Sequence, residues 1–470
     1  MPKLRTWQLT AGSAVAGLAL AAGAVAVAGP WDSGQRKAER ELAAAQDRTG
    51  GAHHESPRPD PAEPDPAPSA GTVLGALGAA APPAGDGRFA KTLGPLLDSA
   101  ALGQLRTASV VDAATGKQLY GRGERTAMTP ASTVKIATTV AALSALGPDH
   151  RIATTVLATA DGKRIVLKGG GDPTLEKEGL RALATDTARA LRDRGAGPVS
   201  LAYDTTLYTG PDIHPIGAGN ENLARVTPLM VNEGRTDGTR SGIGDRTPDP
   251  AGDAARAFAA ELRALGVELT GDPVDEKAPA DAAPVAKALS APLSALVERT
   301  LTNSDNDIAE ALARQTALAA GEEVSFEGAG KAVYDTLAEL DLPAEGLLTG
   351  ARFADGSGLD RNDRVSAALL TALLTRAADP AHPELRSVLT GLPVAGFSGT
   401  LSTRYAGDTG GTGLVRAKTG TLSHLNTLAG TVVTKDGRLL AFAFLADGTP
   451  APDPAQKALD TLASTLTTLP

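Results

Sequence analysis

The feature that most constrains this chain is a serine and a lysine three residues apart at the start of an apolar helical pattern. Ser132 and Lys135 follow Pro130, whose fixed φ angle and missing N–H suit a first helical turn. Apolar residues then recur with helical spacing over 134–146, and a Gly-Pro pair ends the pattern. Because residues i and i+3 share one helix face, the hydroxyl and the amine are predicted to meet within hydrogen-bond distance.

This pair has a chemical use only under one condition. A serine hydroxyl is a weak nucleophile unless a base lies beside it. Lys135 can be that base if burial, a nearby positive charge or the helix N-terminus keeps its amine neutral. Taken alone, a serine and a lysine at this spacing are also typical of an ordinary helix with a solvated lysine. The choice between the two interpretations therefore depends on other parts of the chain.

Composition excludes several other chemistries. The chain has no cysteine, which rules out zinc–thiolate sites, iron–sulfur clusters, thiol nucleophiles and disulfides. Its six histidines show no HExxH or HxH spacing, and no G-x-S-x-G motif supports a Ser-His-Asp triad. We therefore expect no metal and no cofactor. The net charge of −9, with no basic block in the folded part, predicts that nucleic acid is not a partner.

The N-terminal region has the composition of an export signal followed by a linker. Residues 1–29 carry Lys3 and Arg5 before an uncharged Ala/Gly/Val/Leu stretch, and they are predicted to be a signal peptide or a membrane anchor. Residues 30–87 are rich in Pro, Ala, Asp and Gly and are predicted to be a disordered tether. The rest of the protein is thus expected to be exported and extracytoplasmic, either secreted or associated with the cell envelope.

Strand patterns near both ends of the remaining sequence enclose a mostly helical middle. This arrangement predicts a mixed α/β (α+β) catalytic domain formed by 88–150 and 286–470, in which an antiparallel sheet packs beside a helical cluster. Residues 151–285 alternate helix and strand patterns and are predicted to be an inserted α/β domain. The Ala/Pro-rich stretch 278–288 is predicted to be a return link.

Two further short motifs follow the serine–lysine pair. Ser304-Asp305-Asn306 lies at a predicted helix start, and Lys418-Thr419-Gly420-Thr421 lies on a predicted edge strand. Alone, the first is typical of a helix cap and the second of a strand end. In this order, S-x-x-K, S-x-N and K-T-G form the signature set of penicillin-binding proteins and class A β-lactamases. Their joint occurrence favours the catalytic interpretation of Ser132 and Lys135.

With these motifs, the chain resembles the penicillin-binding D-alanyl-D-alanine carboxypeptidases of the peptidase S13 type, from about residue 89 to 470. The resemblance implies the penicillin-binding protein/serine β-lactamase-like transpeptidase fold, with a long insert between the first two motifs. The stretches that carry it beyond the motifs are LKGGGDPTL (167–175), LSALVERTLTNSDNDIAEALAR (293–314), DGSGLDRND (355–363), LPVAGFSGTLSTR (392–404) and RAKTGTL (416–422).

The resemblance also implies roles for individual residues. Ser132 would form an acyl-enzyme, Lys135 would take its proton, and Ser304 would relay that proton to the leaving amine. Asn306 would bind the substrate's side-chain amide. The strand residues would bind the substrate's terminal carboxylate, and the positive charge of Lys418 is expected to help keep Lys135 neutral. The residues implied in substrate binding are Asn306, Lys418, Thr419, Gly420 and Thr421.

The implied substrate is a peptidoglycan stem peptide ending in D-Ala-D-Ala, and the implied inhibitors are β-lactam antibiotics. Three functions stay open: a carboxypeptidase that can also act as an endopeptidase on cross-links, a serine β-lactamase or esterase, and a non-catalytic peptidoglycan-binding protein. The sequence lacks the Glu-x-x-Leu-Asn pentapeptide that typically activates water in β-lactamases. The intact motif residues disfavour the non-catalytic alternative.

Overall fold

The computed structural model describes residues 87–217, 219–405 and 410–469. The predicted signal peptide or anchor lies outside these residues, as does the predicted tether up to residue 86. All the described residues belong to one compact unit. Within them, no helix combines the length and apolar character that crossing a membrane requires.

The part predicted to be the catalytic domain is organised on a five-stranded antiparallel sheet with strand order β2-β1-β10-β9-β8. Two strands come from the N-terminal part and three from the C-terminal part, as the sequence predicts. Ala108, Phe444, Leu428 and Thr419 lie opposite one another in register across four strands, which leaves β8 at the edge. The strands are β1 (Leu105–Asp112), β2 (Gln118–Arg122), β8 (Val415–Leu422), β9 (Leu425–Val433) and β10 (Leu439–Asp447).

The alternation of side chains along β10 explains how helices cover both faces of this sheet. Phe442 and Phe444 point to one face and pack with α1 (Gly87–Leu97) and α10 (Pro452–Leu466). Ala441, Ala443 and Leu445 point to the other face, where the small alanines let the helical cluster approach closely. The helices of that cluster are α2 (Lys135–Leu146), α5 (Leu293–Asn303), α6 (Asn306–Ala320), α7 (Phe326–Ala338), α8 (Ala367–Ala378) and α9 (Arg386–Thr390).

A second five-stranded sheet, of mixed direction, is formed between the first two motifs, with strand order β6-β5-β4-β3-β7. Its apolar core includes Ile165, Leu167, Leu191 and Phe258. The strands are β3 (Ala153–Ala158), β4 (Arg164–Lys168), β5 (Ser200–Asp204), β6 (Val274–Asp275) and β7 (Ala283–Leu289), and the two helices are α3 (Lys177–Asp193) and α4 (Pro250–Ala264).

The stretch 278–288 was predicted to be a return link, and this is wrong for most of its length. Residues Ala283–Leu289 form β7, which pairs antiparallel with β3. Pairing with a neighbouring strand overrides the low strand propensity of an Ala/Pro-rich segment. A boundary drawn at residue 285 passes through this strand, and the division into a catalytic domain and an insert stays a prediction.

Candidate active site

Ser132 lies in a tight turn rather than inside the α-helix. Residues Ala131–Val134 form a 3₁₀ turn, and the α-helix begins at Lys135. In a 3₁₀ turn, side chains at i and i+3 are eclipsed, which places Ser132 and Lys135 in line. Ala131 has a φ of 48°, an unfavourable left-handed conformation for alanine. The nucleophile candidate thus follows a strained residue that its burial holds in place.

The amine of Lys135 is surrounded by three acceptors. Its Nζ atom lies 3.0 Å from Ser132 Oγ, 2.7 Å from Asn306 Oδ1 and 2.6 Å from the carbonyl oxygen of Ser357. A protonated lysine has three N–H groups, so this arrangement satisfies all of them. Ser132 Oγ in turn donates a long hydrogen bond of 3.4 Å to the same carbonyl of Ser357.

Electrostatics make this lysine a plausible base near neutral pH. The side chain is completely buried, and burial lowers the pKa of Lys135 to about 8. Four carboxylates oppose this effect and raise the pKa, with Asp355 and Glu310 the strongest among them. The charge of Lys418 was expected to help keep Lys135 neutral. In the structure, the main cause of the lowered pKa of Lys135 is burial.

The second motif lies where two helices meet. Helix α5 ends at Asn303, and Ser304 follows in a left-handed conformation with a φ of 58°. Asp305 then caps α6 by accepting a hydrogen bond from the N–H of Ile308 at 3.0 Å. The reversal at Ser304 brings Asn306 to Lys135. Among the described residues, the Ser304 hydroxyl has no hydrogen-bond partner, so the structure does not show the relay contact.

The third motif occupies the edge strand β8, beside the turn that carries Ser132. Gly420 permits this proximity, because a Cβ atom there would lie 2.1 Å from Thr427 Oγ1 and 2.8 Å from the carbonyl oxygen of Pro130. Thr427 itself donates a 2.8 Å hydrogen bond to that carbonyl, which ties β9 to the start of the turn. Thr421 is exposed, and its hydroxyl accepts a 3.4 Å hydrogen bond from Asn426 Nδ2.

Lys418 is completely buried, and none of the carboxylates that the structure describes forms an ion pair with it. Among the described residues its ammonium group makes one hydrogen bond, 2.8 Å long, to the carbonyl oxygen of Thr419. Burial, followed by the positive charges of Lys135 and Arg404, holds the pKa of Lys418 well below its usual range. Thr419 Oγ1 is hydrogen-bonded to Thr400 Oγ1 at 2.9 Å. Without a bound substrate, the site therefore disfavours positive charges on both Lys135 and Lys418, and it is suited to bind a negatively charged group.

The sequence analysis missed the turn that holds Ser357. Asp355 accepts hydrogen bonds from the N–H groups of Gly358 at 2.6 Å and Asp360 at 2.7 Å, and Glu310 accepts one from the N–H of Ser357 at 3.0 Å. A Cβ atom at Gly358 would lie 2.1 Å from the carbonyl oxygen of Ala131. The stretch DGSG, which carries part of the family resemblance, was the available signal.

Two buried clusters contain enough ligand types to raise the question of a metal. In the first, His214 Nδ1 accepts a 3.1 Å hydrogen bond from the N–H of Ile216, so the proton of the neutral imidazole is on Nε2, directed at Asp355. That nitrogen then has no lone pair to offer. In the second, Glu233, Asp305 and Asp307 are each paired with an arginine. The first cluster is thus explained as a hydrogen-bonded network around His214, and the second as a set of ion pairs with arginines.

Known proteins match this chain over most of the described residues. The profile of the D-Ala-D-Ala carboxypeptidase 3 (S13) family matches residues 90–240 and 235–466. The chain is 36% identical over 378 residues to carboxypeptidase DacB of Mycolicibacterium smegmatis, covering 77% of this chain and 80% of that protein. It is 30% identical over 445 residues to the D-alanyl-D-alanine carboxypeptidase of Actinomadura sp. (strain R39), covering 76% of this chain and 80% of that protein.

A solved structure shares the fold. Penicillin binding protein 4 from Haemophilus influenzae superposes with a TM-score of 0.66 at 21% identity, covering 82% of this chain and 99% of that one. The mixed α/β penicillin-binding fold expected from the sequence is thereby confirmed. Since the family profile spans nearly all the described residues and the relatives align over most of their own length, this chain belongs to the D-Ala-D-Ala carboxypeptidase 3 (S13) family.

Proposed function

We propose that this protein is a serine-type D-Ala-D-Ala carboxypeptidase that acts on peptidoglycan stem peptides through an acyl-enzyme at Ser132. The observation that carries the proposal is the 3.0 Å contact between Ser132 Oγ and the completely buried amine of Lys135. A nucleophile beside a lysine whose pKa is about 8 suits acyl transfer near neutral pH. Family membership supports the same activity.

In the first half of the reaction, Ser132 Oγ attacks the carbonyl carbon between the two D-alanines while its proton passes to neutral Lys135. The tetrahedral intermediate collapses with cleavage of the C–N bond, and the leaving amine receives that proton. Ser304 is proposed to relay it. In the second half, water attacks the ester carbonyl, transfers a proton to Lys135, and releases the shortened peptide as Ser132 regains its own proton.

The strand β8 is proposed to bind the carboxylate of the terminal D-Ala. Lys418 supplies the compensating charge, and the hydroxyls of Thr419 and Thr421 offer hydrogen bonds. Asn306 would bind the side-chain amide of the substrate. The oxyanion is proposed to be held by the backbone N–H groups of Ser132 and Thr421.

Substrate binding would also change the charge state of the two lysines. In the free site, burial and then the positive charges of Lys135 and Arg404 lower the pKa of Lys418, whereas the neighbouring carboxylates partly offset the effect of burial on the pKa of Lys135. A bound carboxylate stabilises the protonated form of Lys418. The positive charge then favours the neutral form of Lys135, so the base is generated when substrate is present. The expected effect of Lys418 on the pKa of Lys135 would thus occur in the complex of enzyme and substrate.

The function is tested by following D-Ala release from diacetyl-lysyl-D-Ala-D-Ala beside turnover of nitrocefin. We expect release of one D-Ala per peptide and a slow, saturating reaction with nitrocefin, because the sequence lacks the Glu-x-x-Leu-Asn pentapeptide that typically activates water in β-lactamases. Sustained nitrocefin hydrolysis without D-Ala release would show a β-lactamase. Incubation with cross-linked peptidoglycan dimers then reports whether the enzyme is also an endopeptidase.

The pH dependence of acylation gives a second prediction. Only neutral Lys135 can accept the serine proton, and with a pKa of about 8 it is mostly protonated at neutral pH. The second-order rate constant for acylation by benzylpenicillin should therefore rise about tenfold per pH unit below pH 8 and level off above it. A rate that is independent of pH between 6 and 9 would contradict the assignment of Lys135 as the base.

The site of action is proposed to be outside the cytoplasmic membrane. Peptidoglycan stem peptides are found there, and residues 1–29 have the composition of an export signal. Whether that segment is cleaved or kept as an anchor is decided by N-terminal sequencing of the protein isolated from cells.

A further inference from the structure

Two residues of the segment inserted between the first and second motifs reach the surroundings of Lys135. His214 and Asn222 lie in the irregular segment between β5 and α4, far in sequence from all three motifs. Each makes one hydrogen bond to a residue that borders the catalytic lysine. The proposed function does not use either residue.

His214 helps to orient one acceptor of Lys135, the carbonyl oxygen of Ser357, through its contact with Asp355. Its Nε2 atom lies 2.8 Å from Asp355 Oδ2, and both side chains are almost completely buried. The ring is fixed from two further directions, by the N–H of Ile216 on Nδ1 and by the edge-to-face contact with Phe326 at 5.2 Å. Asp355 is therefore held in a fixed orientation, in which it accepts hydrogen bonds from the backbone N–H groups of the turn.

That turn places the carbonyl oxygen of Ser357 in the active site. Asp355 accepts the N–H of Ser357 at 3.1 Å and its hydroxyl at 3.1 Å, in addition to the contacts with Gly358 and Asp360. The carbonyl oxygen of Ser357 then accepts from Lys135 at 2.6 Å and from Ser132 at 3.4 Å. Any rotation of Asp355 would move the shortest hydrogen bond of the catalytic lysine.

Asn222 acts on a second acceptor. Its carbonyl oxygen receives a 3.0 Å hydrogen bond from Asn306 Nδ2. Because the amide group is planar, the hydrogen bond donated by Nδ2 also fixes the direction of Oδ1, and Oδ1 is the atom 2.7 Å from Lys135. Two of the three acceptors of Lys135 are therefore oriented by the inserted segment, and the third is the nucleophile itself.

We infer that His214 and Asn222 are positioning residues, through which the inserted segment aligns Lys135 with Ser132. This inference rests on the proposed function, because it assigns the inserted segment a role in the acylation step. Because aligned reacting groups can lose about 10²-fold in rate for a displacement of about 1 Å, losing the His214 contact is expected to slow acylation by 10- to 100-fold.

The test compares His214→Gln with His214→Asn. A glutamine amide reaches the position of the ring's Nε2 atom and can still donate to Asp355, whereas an asparagine amide stops near the position of Nδ1. Acylation by a fluorescent penicillin should stay within about threefold of wild type in His214→Gln and fall 10- to 100-fold in His214→Asn. Non-covalent affinity for the penicillin should change little in either variant, since the side chain at position 214 does not touch the proposed carboxylate site.

His382→Gln is the matched control, because His382 makes a similar 2.9 Å contact with Glu384 in the 382–385 turn, where its side chain is 26% exposed. It should acylate at the wild-type rate. Equal acylation rates of the Gln and Asn variants overturn the inference, whether both are unchanged or both are slow. If the wild-type enzyme itself is not acylated, the proposed function fails instead, so the two failures are distinguishable.

Discussion

The protein with Ser132→Ala is expected to lose covalent labelling by fluorescent penicillin and to release D-Ala at a rate lower by a factor on the order of 10⁴ or more. The hydroxyl oxygen is the atom that would form the acyl bond, and alanine offers no replacement. Its removal also leaves Lys135 with two acceptors in place of three. Gel fluorescence after penicillin treatment and mass spectrometry of the adduct measure the first effect.

The matched control is Ser144→Ala. Ser144 lies on the same helix as Lys135 but is exposed, so its hydroxyl should not affect labelling. The mutant at Ser132 should unfold at a temperature close to that of wild type, because the substitution removes a single half-buried oxygen. Labelling of Ser132→Ala at the wild-type level would exclude this serine as the nucleophile.

The second large effect is expected from Lys135→Met. Methionine has a similar length and fills the buried space without a charge or an acceptor for the serine proton. Loss of a general base typically lowers a rate by 10²- to 10⁴-fold, and we expect acylation by benzylpenicillin to fall by about 10³-fold. The variant should also lose the rise in rate toward pH 8, since the group responsible for that rise is absent.

Two further measurements make this result specific. Lys331→Met, at an exposed lysine that contacts Glu322 and Asp335, should acylate within about twofold of wild type. The variant at Lys135 leaves Asn306 Oδ1 without its donor and the carbonyl of Ser357 with only the 3.4 Å hydrogen bond from Ser132. An unsatisfied buried group costs about 1–3 kcal/mol of stability. A wild-type acylation rate in Lys135→Met would show that another group takes the proton.

The elements that the sequence predicted best are those with strong local signals. The strands near both ends of the folded part were predicted from their residue patterns, and the Lys418 motif was predicted to lie on an edge strand, which β8 is. The Ser132–Lys135 contact followed from residue spacing alone, although the turn is 3₁₀ and the α-helix begins at Lys135. An i to i+3 contact is available in both conformations, which is why the prediction of proximity did not depend on the helix type.

The parts that the sequence could not supply depend on contacts between distant residues. His214 and Asn222 lie in a segment without regular periodicity, so no pattern links them to Asp355 or Asn306. The burial of Lys418 likewise follows from packing of the whole sheet edge and not from its own motif. The strand at 283–289 was missed because its pairing partner, β3, decides its conformation.

The order of strands in the catalytic sheet has a consequence for how the protein folds. Strand β1 pairs along its whole length with β10, so the sheet cannot close until nearly the last part of the chain has been synthesised. Pairings between such distant residues give a high contact order and slow folding. The turn that carries Ser132 packs against the edge strand β8 only in the finished sheet. Reactivity with penicillin is therefore expected to measure the fraction of molecules that have completed folding.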